Sequence, residues 1–306
     1  MKAVRLHEPV GVEGLRYEDA PDPKPSSLDV LVKVHVCGIT PTELEWPLWV
    51  DRVGHKRDYI IPANEFSGEV VALGFGTAGM AIGDEVYGLI DALRDGAAAE
   101  YIAVEARGVA LKPRTIDHVH AAAIPQSGLT SWQALFDHGH LTAGQTVVIH
   151  GAAGALGNIA IQLARSVGAR IVGTGRSNVE SQVLDAGADV FVNLEQPGWD
   201  GRIGQADLVY DTIGGAVLER SLGIVKTGGT LVTVMAPPQK TREDIRIVHF
   251  IRDPNGLQLV EMSRMVDRGN LQPQIGAVYP LSDAKKAFAA KAGRGVAGKV
   301  ILNVGL

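Results

Sequence analysis

Through the first 120 or so residues, apolar and polar positions alternate over short runs. "KAVRL", "DVLVKVHVCG", "FSGEVVALG", "DEVYGLI", "AAEYIAV" and "GVALKP" are punctuated by Pro and Gly. Such runs read as half-buried strands. "PDPKPSS" at 21–27 carries three prolines and predicts a stiff, extended connector. Short strands with few helical patterns between them predict a compact β-barrel-type unit.

From about residue 127 the rhythm changes. Helical patterns ("SGLTSWQALFDHG", "GALGNIAIQLARSVG", "SNVESQVLDAG", "AVLERSLGIV") alternate with near-continuous apolar strands ("QTVVIH", "ARIVGTG", "DVFVN", "ADLVYDT", "GTLVTV"). Strands apolar on both faces, separated by helices, predict a parallel sheet covered on both sides, wound right-handedly into a doubly wound α/β unit. After the helix "PNGLQLVEMSRMVDRG" come "LQPQIGAVYPL", a helix "SDAKKAFAAKAG" with Ser282 as its N-cap, and a closing strand "KVILNV". This tail resembles the first region, so the two chain ends are expected to form one domain, 1–123 with 262–306, and the doubly wound domain to be inserted as 124–261.

Composition narrows the partners. The 306 residues are 46% apolar and 21% charged, with 37 glycines and a net charge of −5. This is a globular profile rich in tight turns. Basic residues are dispersed, which argues against nucleic acid. Apolar runs are strand-sized, far short of the ~20 residues of a membrane span, and "MKAVRLHEPV" lacks the charged and apolar regions of a secretion signal. A cytoplasmic protein is expected. Cys37 is the single cysteine, so neither an intrachain disulfide nor a thiolate zinc cluster can be assembled. Its alternating surroundings mark it as core filling rather than a nucleophile.

The strongest chemical signal is "HGAAGALG", between the strand "QTVVI" and a helix. Ala152, Ala153, Gly154, Ala155, Leu156 and Gly157 form A-x-G-x-x-G, one methyl away from the dinucleotide fingerprint. Glycines there permit a sharp turn, close approach of a pyrophosphate to the backbone, and tight helix–strand packing. The helix N–H groups then face the phosphates.

An acid for the ribose 2′-hydroxyl belongs at the end of the next strand, roughly 20 residues on. Thr174-Gly175-Arg176-Ser177 stands there instead, with no Asp or Glu. Arg176 suits a 2′-phosphate, and a charge-assisted hydrogen bond of ~1.5–3 kcal/mol is worth roughly ten- to a hundredfold in preference. NADPH is therefore the expected cofactor. Ser177 and Glu180 also spell a capping box, S-x-x-E, compatible with that role.

Taken in order, "VKVHVCGITPTEL", "GDEVYGL", "AAEYIAV", "AAAIPQSGLTSWQAL", "VVIHGAAGALG", "YDTIGG" and "GKVIL" resemble the medium-chain dehydrogenase/reductase superfamily, in particular its zinc-lacking quinone oxidoreductase branch. The resemblance spans nearly the whole chain. It implies a GroES-like catalytic domain with an inserted Rossmann NADP-binding domain, and a homodimer formed through an edge strand of the inserted sheet. In the family's zinc enzymes a Cys ligand stands where this chain has Thr40, followed by Pro41, and the G-H-E motif reads Ala63-Asn64-Glu65. Thr40 and Asn64 are poor zinc ligands, and the four-Cys structural-zinc lobe is absent. No metal is expected.

The resemblance places Thr40, Asn64 and Thr130 near nicotinamide or substrate, and Asp211, Thr212, Gly214, Val234, Met235 and Ala236 along the cofactor. Thr40 stands where the branch often has Asn, and Leu194 where some members contact the 2′-phosphate through Tyr. Trp46, Trp49 and Tyr59 could rim a flat apolar substrate, and ordinary packing accounts for each equally well. Tyr59 or Glu43 could relay a proton. The pairs His118/His120 and His138/His140 are spaced i, i+2 and read as solvated or capping residues, not metal ligands.

"GRGVAGKV", 293–300, misses a phosphate-binding loop because Val300 lacks the hydroxyl and a strand follows. A serine-hydrolase elbow G-x-S-x-G is missing from the chain. Two functions fit. One is an NADPH-dependent reductase of quinones or enones, and the other is a nucleotide-binding protein with a sensing or structural role.

Overall fold

The computed structural model describes residues 1–40, 42–46, 49–51, 53–292 and 296–305. Pro41 and the first three residues of "GRGVAGKV" lie outside the described residues. The elements in chain order are β1 (Lys2–Leu6), β2 (Leu15–Asp19), β3 (Asp29–Ile39), β4 (Glu65–Leu73), β5 (Glu85–Leu89), β6 (Tyr101–Glu105) and β7 (Val109–Leu111). Then come α1 (His118–Ala121), α2 (Pro125–Trp132), β8 (Thr146–His150), α3 (Ala155–Ser166), β9 (Arg170–Gly175) and α4 (Glu180–Asp185). They are followed by β10 (Val190–Asn193), β11 (Ala206–Asp211), α5 (Gly215–Ser221), β12 (Val225–Thr233) and β13 (Arg246–His249). The last elements are α6 (Gly256–Asp267), β14 (Ile275–Pro280), α7 (Ala284–Ala292) and β15 (Lys299–Asn303).

Two compact units result. The first comprises Met1–Gln126, Asp253–Gly269 and Pro273–Leu306, and the second Ser127–Arg252 with Asn270–Gln272. Helix α6, which a boundary at 261/262 cuts, stands whole in the first unit. Its reason for being a helix is local: Asn255 Oδ1 caps it by accepting from Gln258 N–H at 3.1 Å.

In the first unit, β3 organises a seven-stranded sheet of order β14-β15-β3-β4-β5-β7. One edge of β3 pairs β4 along nearly its whole length. Its other edge is divided between β6 (through Asp29–Lys33) and β15 (through Val36–Ile39). A strand shared this way bends the sheet toward closure, helped by register shifts near Val32 and Val36. The alternation legible in "VLVKVHV" follows: Val30, Val32 and Val34 are buried with Phe66, Ile102 and Phe288.

The second unit is a six-stranded parallel sheet of order β10-β9-β8-β11-β12-β13. Counted from its own first strand the order is 3-2-1-4-5-6, the doubly wound arrangement the alternating pattern predicted. Val148, Val172, Val209 and Leu231 fill the layer between this sheet and its helices. Direction reverses between β8 and β11, so the loops leaving those strands diverge at a topological switch point.

Three local expectations fail. The helix over "SGLTSWQALFDHG" is α-helical only to Trp132 and widens into a π-helical stretch over Gln133–His138. The helix over "SNVESQVLDAG" breaks into a 3₁₀ turn, Ser177–Val179, followed by α4, and no side chain caps either piece. Ser282 is not an N-cap but lies inside a 3₁₀ turn, Leu281–Asp283, that leads into α7.

Candidate functional site

The fingerprint loop is built as its glycines require. Gly151 turns the chain at φ +72°. Gly157 lies so close to the strand end that a Cβ would sit 2.4 Å from Gly151 O and 2.6 Å from Ala152 Cα. Ala152 is accommodated because the facing Gly173 of β9 has no side chain: a Cβ there would stand 3.1 Å from the Ala152 methyl. The Ala152 N–H donates to Thr174 O at 3.0 Å, tying the loop to β9. By contrast a Cβ on the exposed Gly154 would meet only Gly151 O, at 3.2 Å. Gly154 opens α3 in an extended conformation with no side-chain cap. The first N–H groups of α3, at Ala155, Leu156 and Gly157, are thus left for an anion.

Across the switch point, Thr212 Oγ1 donates to His150 O at 2.8 Å, bracing the loop after β8 against that after β11. Asp211 is fully buried, and its carboxylate accepts from Gly214 N–H (3.1 Å), Ile213 N–H (3.2 Å) and Thr233 Oγ1 (2.8 Å). Its acceptor capacity is used in holding the turn into α5, so it positions rather than contacts. Val234 and the exposed Met235 and Ala236 follow Thr233, and a Cβ on Gly214 would meet Met235 Cβ at 3.0 Å. Thr130 is buried in α2. Thr174 is fully buried, with its hydroxyl turned inward.

That inward hydroxyl meets His150. Nδ1 lies 2.8 Å from Thr174 Oγ1, and Nε2 lies 2.7 Å from Ser221 Oγ. Ser221 gives its proton to Val217 O at 2.6 Å, so Nε2 carries the imidazole hydrogen and Nδ1 accepts from Thr174. Burial holds the His150 pKa down to about 3. A neutral histidine thereby ties β8, β9 and α5 together beneath the loop.

At the ends of β9 and β10 the sequence reading is corrected. The capping box does not form, because the Ser177 hydroxyl donates to Glu195 Oε2 at 3.1 Å and its N–H to the same atom at 3.2 Å. An acid does stand at this corner, supplied by the third strand rather than the second. Its only sequence signal is position: Glu195 follows "DVFVNL" as the first acidic residue beyond β10. Arg176 is exposed and makes no ion pair among the described residues.

In the first unit, Thr40 and Asn64 come together around Glu43. Thr40 N–H donates to Glu43 Oε1 at 3.3 Å, and Glu43 and Asn64 line one small cavity with Ile61 and Arg94. Ala63 precedes Asn64 at φ +70°, left-handed backbone where glycine is the usual residue. Glu65 is buried against Lys299 Nζ and accepts from Gln126 N–H at 2.8 Å. Trp49 and Tyr59 pack on the core of this unit, with the Arg5 guanidinium 3.5 Å above the Tyr59 ring, and Trp46 is half-buried.

Residues 26–114 match the family model described as alcohol dehydrogenase GroES-like domain, and residues 186–302 that described as zinc-binding dehydrogenase. A probable zinc-binding oxidoreductase, mitochondrial, of Arthroderma benhamiae is 30% identical over 99% of this chain and 96% of its own. The chain belongs to the medium-chain dehydrogenase/reductase superfamily. Within it, the match is to the quinone oxidoreductase-like branch, and the chain is an oxidoreductase of that group. A 2-methylene-furan-3-one reductase of Solanum lycopersicum is 29% identical over 99% of the chain and 79% of its own. A quinone oxidoreductase structure from Coxiella burnetii superposes with TM-score 0.89 at 25% identity, covering 99% of both chains.

Membership in a superfamily with zinc enzymes makes the donor set informative. Thr40 and Asn64 offer a hydroxyl and an amide, and Cys37 is buried in β3 with its thiol pushed up by burial. Among the described residues, no group of three His, Cys, Asp or Glu is placed to hold a metal ion. Among the described residues, this donor set does not fit a catalytic zinc.

The histidine pairs are structural, though His118 is not merely solvated. Its Nδ1 lies 2.8 Å from Ser67 Oγ and its Nε2 3.1 Å from Glu85 Oε1. This has the order of a hydrolytic triad, but Ser67 is fully buried in β4 and donates its proton to Val86 O at 2.8 Å. The cluster pins α1 to the sheet. His120 pairs with Asp117, and His140 Nδ1 lies 3.2 Å from Phe136 O.

Proposed function

We propose that this oxidoreductase uses NADPH to reduce quinones or α,β-unsaturated carbonyl compounds, without a metal. The observation that carries the reading is the fingerprint loop at the switch point. Its Gly151–Gly157 packing leaves Gly154 and the uncapped start of α3 facing outward, a cradle fitted to a pyrophosphate. Reduced nicotinamide, when bound, supplies a hydride. Arg176 supports the choice of NADPH, as a freely available guanidinium suits the 2′-phosphate.

Thr40 and Asn64 are proposed to donate hydrogen bonds to the acceptor's carbonyl oxygen as negative charge builds there. Hydroxyl and amide donors stabilise a delocalised enolate or hydroquinone anion adequately. They replace a Lewis acid poorly for an isolated ketone or alcohol, which favours conjugated acceptors. Hydride and one proton from water complete the reduction. The named activities of the tomato and Coxiella relatives support this class of substrate.

A homodimer is also proposed, through β13, which ends the sheet of the second unit and has no further partner strand among the described residues. Action in the cytoplasm on a small molecule completes the reading. The decisive assay follows NADPH absorbance at 340 nm with a panel of quinones and enones, with and without a metal chelator. Turnover undiminished by chelator is expected. Tight NADPH binding with no turnover on any acceptor would instead mark a binding protein.

A further inference from the structure

Parallel pairing sets Asn193 of β10 beside Gly175 of β9, so the residues that follow leave the sheet together. Leu194 N–H extends the ladder to Gly175 O at 2.9 Å, and Glu195 N–H donates to Asn193 Oδ1 at 2.9 Å. That turn returns the Glu195 carboxylate to Ser177, where one oxygen receives both the N–H and the hydroxyl. Arg176 stands next to this pair. One corner of the second unit thus carries an exposed arginine, adjacent in the chain to Ser177, and a carboxylate that accepts from both the N–H and the hydroxyl of Ser177.

We infer that Glu195 is a specificity-determining residue that opposes Arg176 and sets the balance between NADPH and NADH. The inference rests on the proposal that this sheet edge holds a nicotinamide dinucleotide. A 2′-phosphate arriving at Arg176 meets a like charge and finds Ser177 already engaged. A 2′-hydroxyl meets a carboxylate that can accept its hydrogen bond. The wild-type protein accordingly binds the two cofactors with affinities within about tenfold, less discrimination than the roughly ten- to hundredfold that Arg176 by itself supports.

The test measures direct binding by calorimetry, using NADPH, NADH, and the fragments 2′,5′-ADP and 5′-ADP. Glu195→Gln, at an exposed position, is expected to tighten NADPH and 2′,5′-ADP about tenfold or more, while NADH and 5′-ADP hold or weaken. Arg176→Ala is expected to weaken only the two phosphorylated ligands. Ser177→Ala should matter for 2′,5′-ADP chiefly in a Glu195→Ala background, where the hydroxyl has lost its acceptor. If all four ligands bind but the 2′,5′-ADP to 5′-ADP ratio is the same with Glu or Gln at 195, the inference is overturned. If none binds the wild-type protein, the dinucleotide reading itself falls.

Discussion

A side chain on Gly157 would begin 2.4 Å from the carbonyl oxygen of Gly151, and that contact separates two kinds of glycine in one loop. Gly157→Ala drives a methyl against the backbone of Gly151 and Ala152, so α3 must move away from the end of β8. A loss of about 1–3 kcal/mol of stability is expected, as for overpacking generally, together with at least tenfold weaker nucleotide binding. Gly154→Ala meets only one atom, at 3.2 Å, and faces outward. It should leave the melting temperature nearly unchanged while still weakening NADPH. Equal effects of the two substitutions on melting would contradict this division.

His150 makes the stability of the second unit depend on pH. Its pKa is about 3 when folded and near 6.5 when unfolded, so between those values the unfolded chain binds the extra proton. The contribution is complete above pH 6.5 and is lost as pH falls, at about 1.4 kcal/mol per pH unit. Denaturant unfolding at pH 7, 6 and 5 should show His150→Gln with a shallower decline than wild type. Parallel declines would mean that His150 takes up its proton at nearly the same pH in the folded and unfolded chain.

Lys299 and Glu65 are buried 234 residues apart in sequence, and neither can be removed singly without leaving a charge in the core. Lys299→Met should cost about 3–5 kcal/mol, whereas the Lys299→Met, Glu65→Gln pair should recover much of that loss. Urea titration of the single and double variants measures the coupling. Strict additivity would show that the pair is not an interacting unit.

Asn64→Ala and Thr40→Val separate turnover from nucleotide affinity. Each is expected to lower kcat/KM for a quinone or enone by about 100–1,000-fold, in line with losing one donor to a developing oxyanion. The Kd of NADPH, measured by fluorescence, should move little, since the nucleotide loop belongs to the second unit. A change in Kd matching the change in kcat/KM would remove both residues from the proposed substrate role.

Periods and punctuation sufficed for the architecture. The two-residue alternation around Val30–Val36, the apolar runs of β8 to β12 and the glycine spacing of 151–157 act over a few residues, where backbone geometry and burial leave little choice. They determined a barrel-type unit, a doubly wound sheet and the tight turn between β8 and α3. Long-range pairing settled the rest. Glu195 reaches Ser177 because β10 lies beside β9, His150 is neutral because the fold buries it, with Thr174 and Ser221 meeting its two nitrogens from other elements, and Asp211 is taken up by Gly214 in its own turn and by Thr233 of the neighbouring β12. Hydrogen bonds act over about 3 Å in space, whatever the separation along the chain, so a residue's chemical role here became readable only once the strands had been set side by side.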